Sequence, residues 1–166
     1  MHISNIEKSK VESQKWKLES QKSKALLLIL LSSVMLTACS DGVVYNEYRL
    51  LPNKGWHADS VMYFTFDIED TVAMYDIVIN VRHKDNYTYQ NMWLFVEQDT
   101  IEFYLADNYG NWLGNGKNGL IEMPVLYEQN YTFSHAGTHT IKLQHGMRTD
   151  WLRGVNAVGV EVRKGE

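Results

Sequence analysis

Apolar and polar residues alternate with a period of two through much of the chain beyond residue 42, the signature of strands with one buried face. In 61–66 (VMYFTF), Met62, Phe64 and Phe66 share a face. In 75–83 (YDIVINVRH), Tyr75, Ile77, Ile79 and Val81 lie opposite Asp76, Asn80 and Arg82. Residues 87–97 (YTYQNMWLFVE) set Tyr87, Tyr89, Trp93 and Phe95 against Met92, Leu94 and Val96. The second half of that run is apolar on both faces, which predicts a place in the middle of a sheet. Further runs occupy 100–106 (Ile101, Phe103, Leu105), 138–145 (Ile141, Leu143) and 157–163 (Val158, Val160, Val162), with a weaker first strand at 43–50.

The connections read as turns. "KDN" at 84–86 and "EQD" at 97–99 predict hairpins, because Asn and Asp tolerate left-handed backbone and bond their own main chain. Residues 108–119 (NYGNWLGNGKNG) hold four Gly and four Asn and predict a long loop. Residues 146–154 (GMRTDWLRG) predict one short turn. No segment of this part carries a helical period over twelve residues. Seven or eight strands at hairpin spacing predict an all-β fold: a single antiparallel β-sandwich, jelly-roll or immunoglobulin-like, over 43–166. A closed barrel has the same periodicity.

The start of the chain is different. An apolar run, Ala25 to Val34, follows Lys22 and Lys24, and "LTAC" (Leu36 to Cys39) follows the run. The run is too short to span about 30 Å of hydrocarbon, and it has the charge, length and small-residue exit of an export signal. The tetrapeptide resembles the bacterial lipobox, in which the signal is cut before an acylated cysteine. That likeness predicts a lipoprotein signal peptide at 22–38, covalent lipid on Cys39 and an acylated tether at 39–42. Two or three acyl chains hold a protein on a membrane durably without spanning it. Residues 1–21 are polar and longer than a signal requires, and read as an N-terminal extension from a start assigned too early.

Charge and composition narrow the function. Residues 39–166 carry ten Lys or Arg against seventeen Asp or Glu, whereas 1–38 carry six Lys against three Glu. A net-acidic body repels phosphate backbones, so nucleic acid is not an expected partner. Cys39 is the only cysteine, so no internal disulfide can form. Nineteen aromatics in the 128 residues from Cys39 onward supply a core large enough to stand alone.

Candidate chemistry is sparse. His139 and His145 share a strand face but lie about 20 Å apart along it, too far for one metal ion, and His135 precedes the Gly137 turn. Paired acids such as Glu69/Asp70 and Glu97/Asp99 fall at turns, with nothing to single out a glycosidase pair. Only Ser40, Ser60 and Ser134 follow Cys39, and no GxSxG, P-loop or HExxH is present. No catalytic residue, metal set or cofactor is therefore assigned, and the chain is not expected to be an enzyme. The loop around Tyr109, Trp112 and Asn115 is the most individual feature: its aromatics suit contact with a partner protein or a sugar. Its oxygens do not follow the twelve-residue calcium-loop spacing. Asp59-Ser60-Val61, Asp70-Thr71-Val72 and Asp99-Thr100-Ile101 resemble short O-glycosylation sites of Bacteroidetes.

"YQNMWLFVE", "DTIEFYLADNYGNWLGNGKNG" and "HGMRTDWLRGVNAVGVEVRK", in that order after a lipobox, resemble the gliding motility lipoprotein GldH family of Bacteroidetes. The resemblance spans nearly all of 39–163. It implies a small cell-envelope lipoprotein associated with gliding machinery and, through it, type IX secretion, with the outer membrane and other envelope proteins as partners. It transfers no catalytic residue; only Cys39 matches a position of defined chemistry. The alternative is a lipid-anchored glycan-binding module of an outer-membrane nutrient system, which requires Tyr109 or Trp112 exposed and coplanar with another ring.

Overall fold

The computed structural model describes residues 42–165; the expected extension (1–21), the expected signal peptide (22–38) and Cys39 lie outside the described residues. Every strand pairing in this part is antiparallel. One sheet has the order β1 (Val43–Leu50), β11 (Val155–Lys164), β4 (Tyr75–Lys84), β8 (Leu120–Tyr131), β7 (Asn115–Lys117). The second has the order β3 (Met62–Ile68), β9 (Gly137–His145), β5 (Asn91–Val96), β6 (Asp99–Tyr104). A two-stranded ribbon pairs β2 (Trp56–His57) with β10 (Trp151–Leu152). The fold is an all-β sandwich.

The period-two rows meet between the sheets. Ile77, Ile79 and Val81 of β4 and Val158, Val160 and Val162 of β11 pack with Phe64, Phe66 and Ile68 of β3, Met92, Leu94 and Val96 of β5, and Ile141 and Leu143 of β9. All of these side chains are buried. Each contributes about 1.5–3 kcal/mol by leaving water.

Several connections differ from the sequence reading. Residues 84–86 make no hairpin: β4 pairs with β11 and β8, and the chain crosses there to the other sheet. The turn at 97–98 does close a hairpin, with Val96 opposite Asp99 and Glu97 in left-handed backbone. The strand expected from residue 87 begins at Asn91. It lies inside its sheet, between β9 and β6, yet Trp93 and Phe95 on its outer side are exposed. Residues 146–154 contain β10 as well as turns. β8, a strand of twelve residues, gave no clear alternation, and Pro124 argues against a central strand. The proline is accommodated because β7 pairs only with Leu120 to Glu122, so that beyond Glu122 the outer side of β8 is an edge.

Strand direction sorts the loops into two ends. Gly42, the 69–74 connection, the 132–136 connection and Gly165 lie at one end, fixed by the pairs Val43–Arg163, Lys164–Tyr75, Tyr75–Tyr131 and Ile68–Gly137. The segments 51–61, 85–90, 105–119 and 146–154 lie at the other. β4, with ten residues, separates the ends by about 30 Å.

The outer side of the five-stranded sheet is tied by polar contacts. Tyr48 Oη donates to Glu122 Oε1 at 2.7 Å, Arg82 Nε donates to Glu122 Oε2 at 2.6 Å, and the Arg82 guanidinium sits 3.7 Å from the Tyr48 ring centroid. Partial burial, then the Glu122 hydrogen bond, pushes the Tyr48 phenol up to about 12. The Tyr48 ring lies across Gly159, where a Cβ would come within 2.7 Å of the ring and 2.9 Å of the Glu47 carbonyl oxygen. Gly159→Val is expected to cost about 1–3 kcal/mol through this overpacking. Urea unfolding read by tryptophan fluorescence measures it, and an unchanged midpoint would contradict the tight approach.

Candidate interaction surface

Residues 105–113 form a closed loop at the end away from Gly42. Its neck is tied by Leu113 N–H donating to Leu105 O at 2.7 Å and by a bridge between Ala106 and Trp112. Its tip is built on Asp107. Oδ1 accepts from the N–H groups of Tyr109 and Asn111, both at 2.8 Å, and Oδ2 accepts from Asn111 Nδ2 at 2.9 Å. The Asn111 side-chain hydrogen bond, then its backbone one, holds the Asp107 carboxyl below its ordinary range. The carboxylate oxygens considered for a cation thus serve the loop itself. Among the described residues no three His, Cys, Asp or Glu side chains converge on a point.

The three residues singled out in this stretch part company. Tyr109 projects from the tip and is 93% exposed. Trp112 is half-buried: its ring packs edge-on to His83, 4.6 Å between centroids, and lies 6.3 Å from Tyr87. Asn115 is exposed on β7, opposite Glu122. The stretch expected to be loop throughout therefore ends in a hairpin, with Asn118 and Gly119 in left-handed backbone at the turn. Gly114, also left-handed, lets the chain pass against β8, and a Cβ there would collide with the Glu122 carbonyl oxygen. The rings that touch Trp112 are inclined to it, His83 by 63° and Tyr87 by 57°, so neither extends its face into a flat platform.

His83 supports Trp112 from below. It is fully buried, and its Nδ1 lies 3.0 Å from Lys84 O. A carbonyl only accepts, so Nδ1 carries the proton and Nε2 is a bare acceptor, buried without a partner. His145 repeats the arrangement: Nε2 donates to Trp56 O at 3.1 Å, and Nδ1 is buried and unpartnered. Burial depresses both imidazoles below their ordinary value.

A second feature at this end escaped the sequence reading. A cleft of about 520 Å³ is lined by Tyr89, Asn91, Trp93, Gly146, Met147 and Arg148. Gly146 N–H donates to Trp93 O at 2.7 Å, and Trp93 N–H points to Met147 Sδ at 3.3 Å. The outer side of the four-stranded sheet continues from it with Tyr63, Phe95 and Tyr104 exposed. The available signal was the pair of aromatics at 93 and 95 on the face opposite Met92, Leu94 and Val96, which was read only as a sign of a mid-sheet strand. Of the three Asp-Ser/Thr motifs, Thr100 is exposed on β6, and Ser60 and Thr71 are half-buried.

The sequence profile of the GldH lipoprotein family matches residues 43–162. The chain belongs to the GldH lipoprotein family. It is 27% identical over 158 residues to a gliding motility lipoprotein GldH homolog of Christiangramia forsetii, covering 86% of this chain and 96% of the relative. It is 26% identical over 153 residues to the gliding motility lipoprotein GldH of Flavobacterium johnsoniae, covering 82% and 94%. Among solved structures, dimeric latent PorU from Porphyromonas gingivalis aligns over 77% of this chain and 14% of its own, at 8% identity and a TM-score of 0.34, too loose to bear on the fold. In this GldH-family chain the profile begins at the first strand and covers both sheets.

Two outcomes follow. Trp112→Ala is expected to lose about 2 kcal/mol of stability and raise amide exchange in 105–113, while Tyr109→Ala stays within about 0.5 kcal/mol. Equal effects would contradict the division between a packed and a projecting ring. Stability is also expected to depend on acid. Well above pH 6.5 His83 and His145 are neutral in both the folded and unfolded chain. As pH falls below that value the unfolded chain takes up protons that the buried imidazoles refuse, so stability drops until the depressed folded values are passed. Thermal melts between about pH 7.5 and 5 read this window, above the range where carboxylates titrate; a flat melting temperature across it would rule the effect out.

Proposed function

We propose that this chain is a cell-envelope lipoprotein, acylated on Cys39 and held at the outer membrane, that serves as a structural or assembly component of gliding motility machinery and the associated type IX secretion system. It acts by docking a neighbouring envelope protein and not by catalysis. The observation that carries the reading is membership of the GldH family over the whole sandwich, behind a lipobox-like segment. The relatives' names supply gliding motility. The lipid confines the sandwich to a thin layer above the bilayer and raises its effective concentration toward membrane partners. Docking is assigned to the end away from Gly42, where Tyr109 stands on a loop braced by Asp107 and Trp112 and which also holds the exposed Trp93, Tyr104 and Asn115. Exposed aromatics on a rigid support lose little entropy on contact and make effective anchors.

A glycan-binding role is the second reading. The half-buried Trp112 weakens it at the loop, but the cleft supports it: Tyr89 and Trp93 offer ring faces, and Asn91 and Arg148 offer polar groups.

The test is a crosslinked pull-down from gently solubilised outer membrane, with a tag after Glu166 and Cys39→Ala and Tyr109→Ala as comparisons. Gliding or type IX components are expected with the unaltered chain, to be lost with Cys39→Ala and reduced with Tyr109→Ala. Recovery of glycan-uptake proteins or bound sugar instead would replace the assembly reading with the second one.

A further inference from the structure

The end of the sandwich that holds Gly42 has an exposed apolar rim. Val72 is 89% exposed and Met74 52%, both on the connection from β3 to β4. Val43 and Val44 at the start of β1 are each 41% exposed, and Tyr131 at the end of β8 is 40% exposed. The pairs Val43–Arg163, Lys164–Tyr75, Tyr75–Tyr131 and Ile68–Gly137 place all five at this end of the sandwich. Two hydrogen bonds link Gly42 to the β3–β4 connection: Lys164 N–H donates to Gly42 O, and Gly165 N–H donates to Met74 O, both at 2.8 Å.

The connection is built to keep its tip outward. Asp70 Oδ1 accepts from the N–H groups of Val72 and Ala73 at 3.0 and 3.1 Å, and Oδ2 accepts from Lys164 Nζ at 3.1 Å. Tyr75 Oη donates to Asp70 O at 2.7 Å, so the segment is fastened on both sides to the sheet. Val72 is the residue left without cover. A β-branched apolar side chain held rigidly in water gains by meeting an apolar surface.

We propose that this rim seats in the lipid interface of the leaflet that carries the acyl chains, so that the sandwich stands on its Gly42 end and directs Tyr109 and the cleft away from the bilayer. The inference rests on acylation of Cys39. Cys39 lies three residues before Gly42, so chain length alone keeps its sulfur within about 15 Å of that residue. An interfacial apolar face sits about 5–10 Å into the headgroup and acyl boundary, and this tether is short enough to hold the rim within reach of it. Asp67, Glu69 and Asp70 outnumber Lys164 around the neighbouring cleft, so apolar burial and not attraction to anionic headgroups holds the rim.

The acylated full chain, processed in a lipoprotein-competent host and reconstituted in phosphatidylcholine vesicles, tests this. With Cys39 blocked by its lipid, Val72→Cys supplies the only free thiol for a nitroxide spin label; Leu50→Cys, at a 78% exposed position at the opposite end, is the comparison. Collision with oxygen is expected to exceed collision with a water-soluble nickel complex several-fold at 72, and the reverse at 50, with little change on adding anionic lipid. Equal nickel access at both sites in protein that floats with the vesicles overturns the rim contact while leaving the anchor in place. A chain that fails to float and labels at Cys39 overturns the anchor reading and this one with it. A purified chain whose mass and peptide map place a sugar on Thr71 also overturns the rim contact, because the glycan would hold the loop in water.

Discussion

Burial of two opposed apolar rows is the constraint on which everything else depends. β4 and β11 supply Ile77, Ile79, Val81, Val158, Val160 and Val162; β3, β5 and β9 face them with Phe64, Leu94, Leu143 and their neighbours. With one cysteine in the chain, no covalent brace assists. The rows must therefore pack without voids, and the sandwich they define determines which loops share an end. The loop at 105–113, the cleft beside Trp93 and the apolar rim at Val72 are consequences of strand direction within that packing.

The two ends are built differently. At the end away from Gly42, polar and aromatic groups are layered: the neutral, half-satisfied imidazole of His83 lies under Trp112, and Asp107 ties the tip from which Tyr109 projects. At the other end Asp70 ties a loop that leaves Val72 bare. In both cases one carboxylate consumes the backbone donors of a tight connection and frees an uncommitted side chain to face outward. The proposed role of a tethered assembly component would use one end for the surface that holds it and the other for what it meets.

Much of the sandwich was legible in the sequence because a strand's side-chain period is local. The faces of 61–66, 75–83, 138–145 and 157–163 needed no tertiary information. β8 was hidden because Pro124 interrupts its pattern, and the sequence alone does not reveal that β7 stops at the point where a proline becomes harmless. The 84–86 turn chemistry fits a hairpin and a crossing between sheets equally well. The mid-sheet place of 91–96 was legible, but not that Trp93 and Phe95 stay open, because hydrophobicity states what would gain from burial, not what finds a partner.

The sequence by itself determined the class of fold, the row of residues bound for the core, the lipobox-like segment ending at Cys39 and the family pattern. These are written in short-range spacing and in motif order. The tertiary structure alone decided that Trp112 turns inward while Tyr109, three residues away, turns out, that Trp93 walls an open cleft, and that Val72 shares an end with Gly42. Those outcomes depend on which strands become neighbours and in what direction. Such pairing is settled by contacts between residues far apart in the chain, which no local pattern encodes.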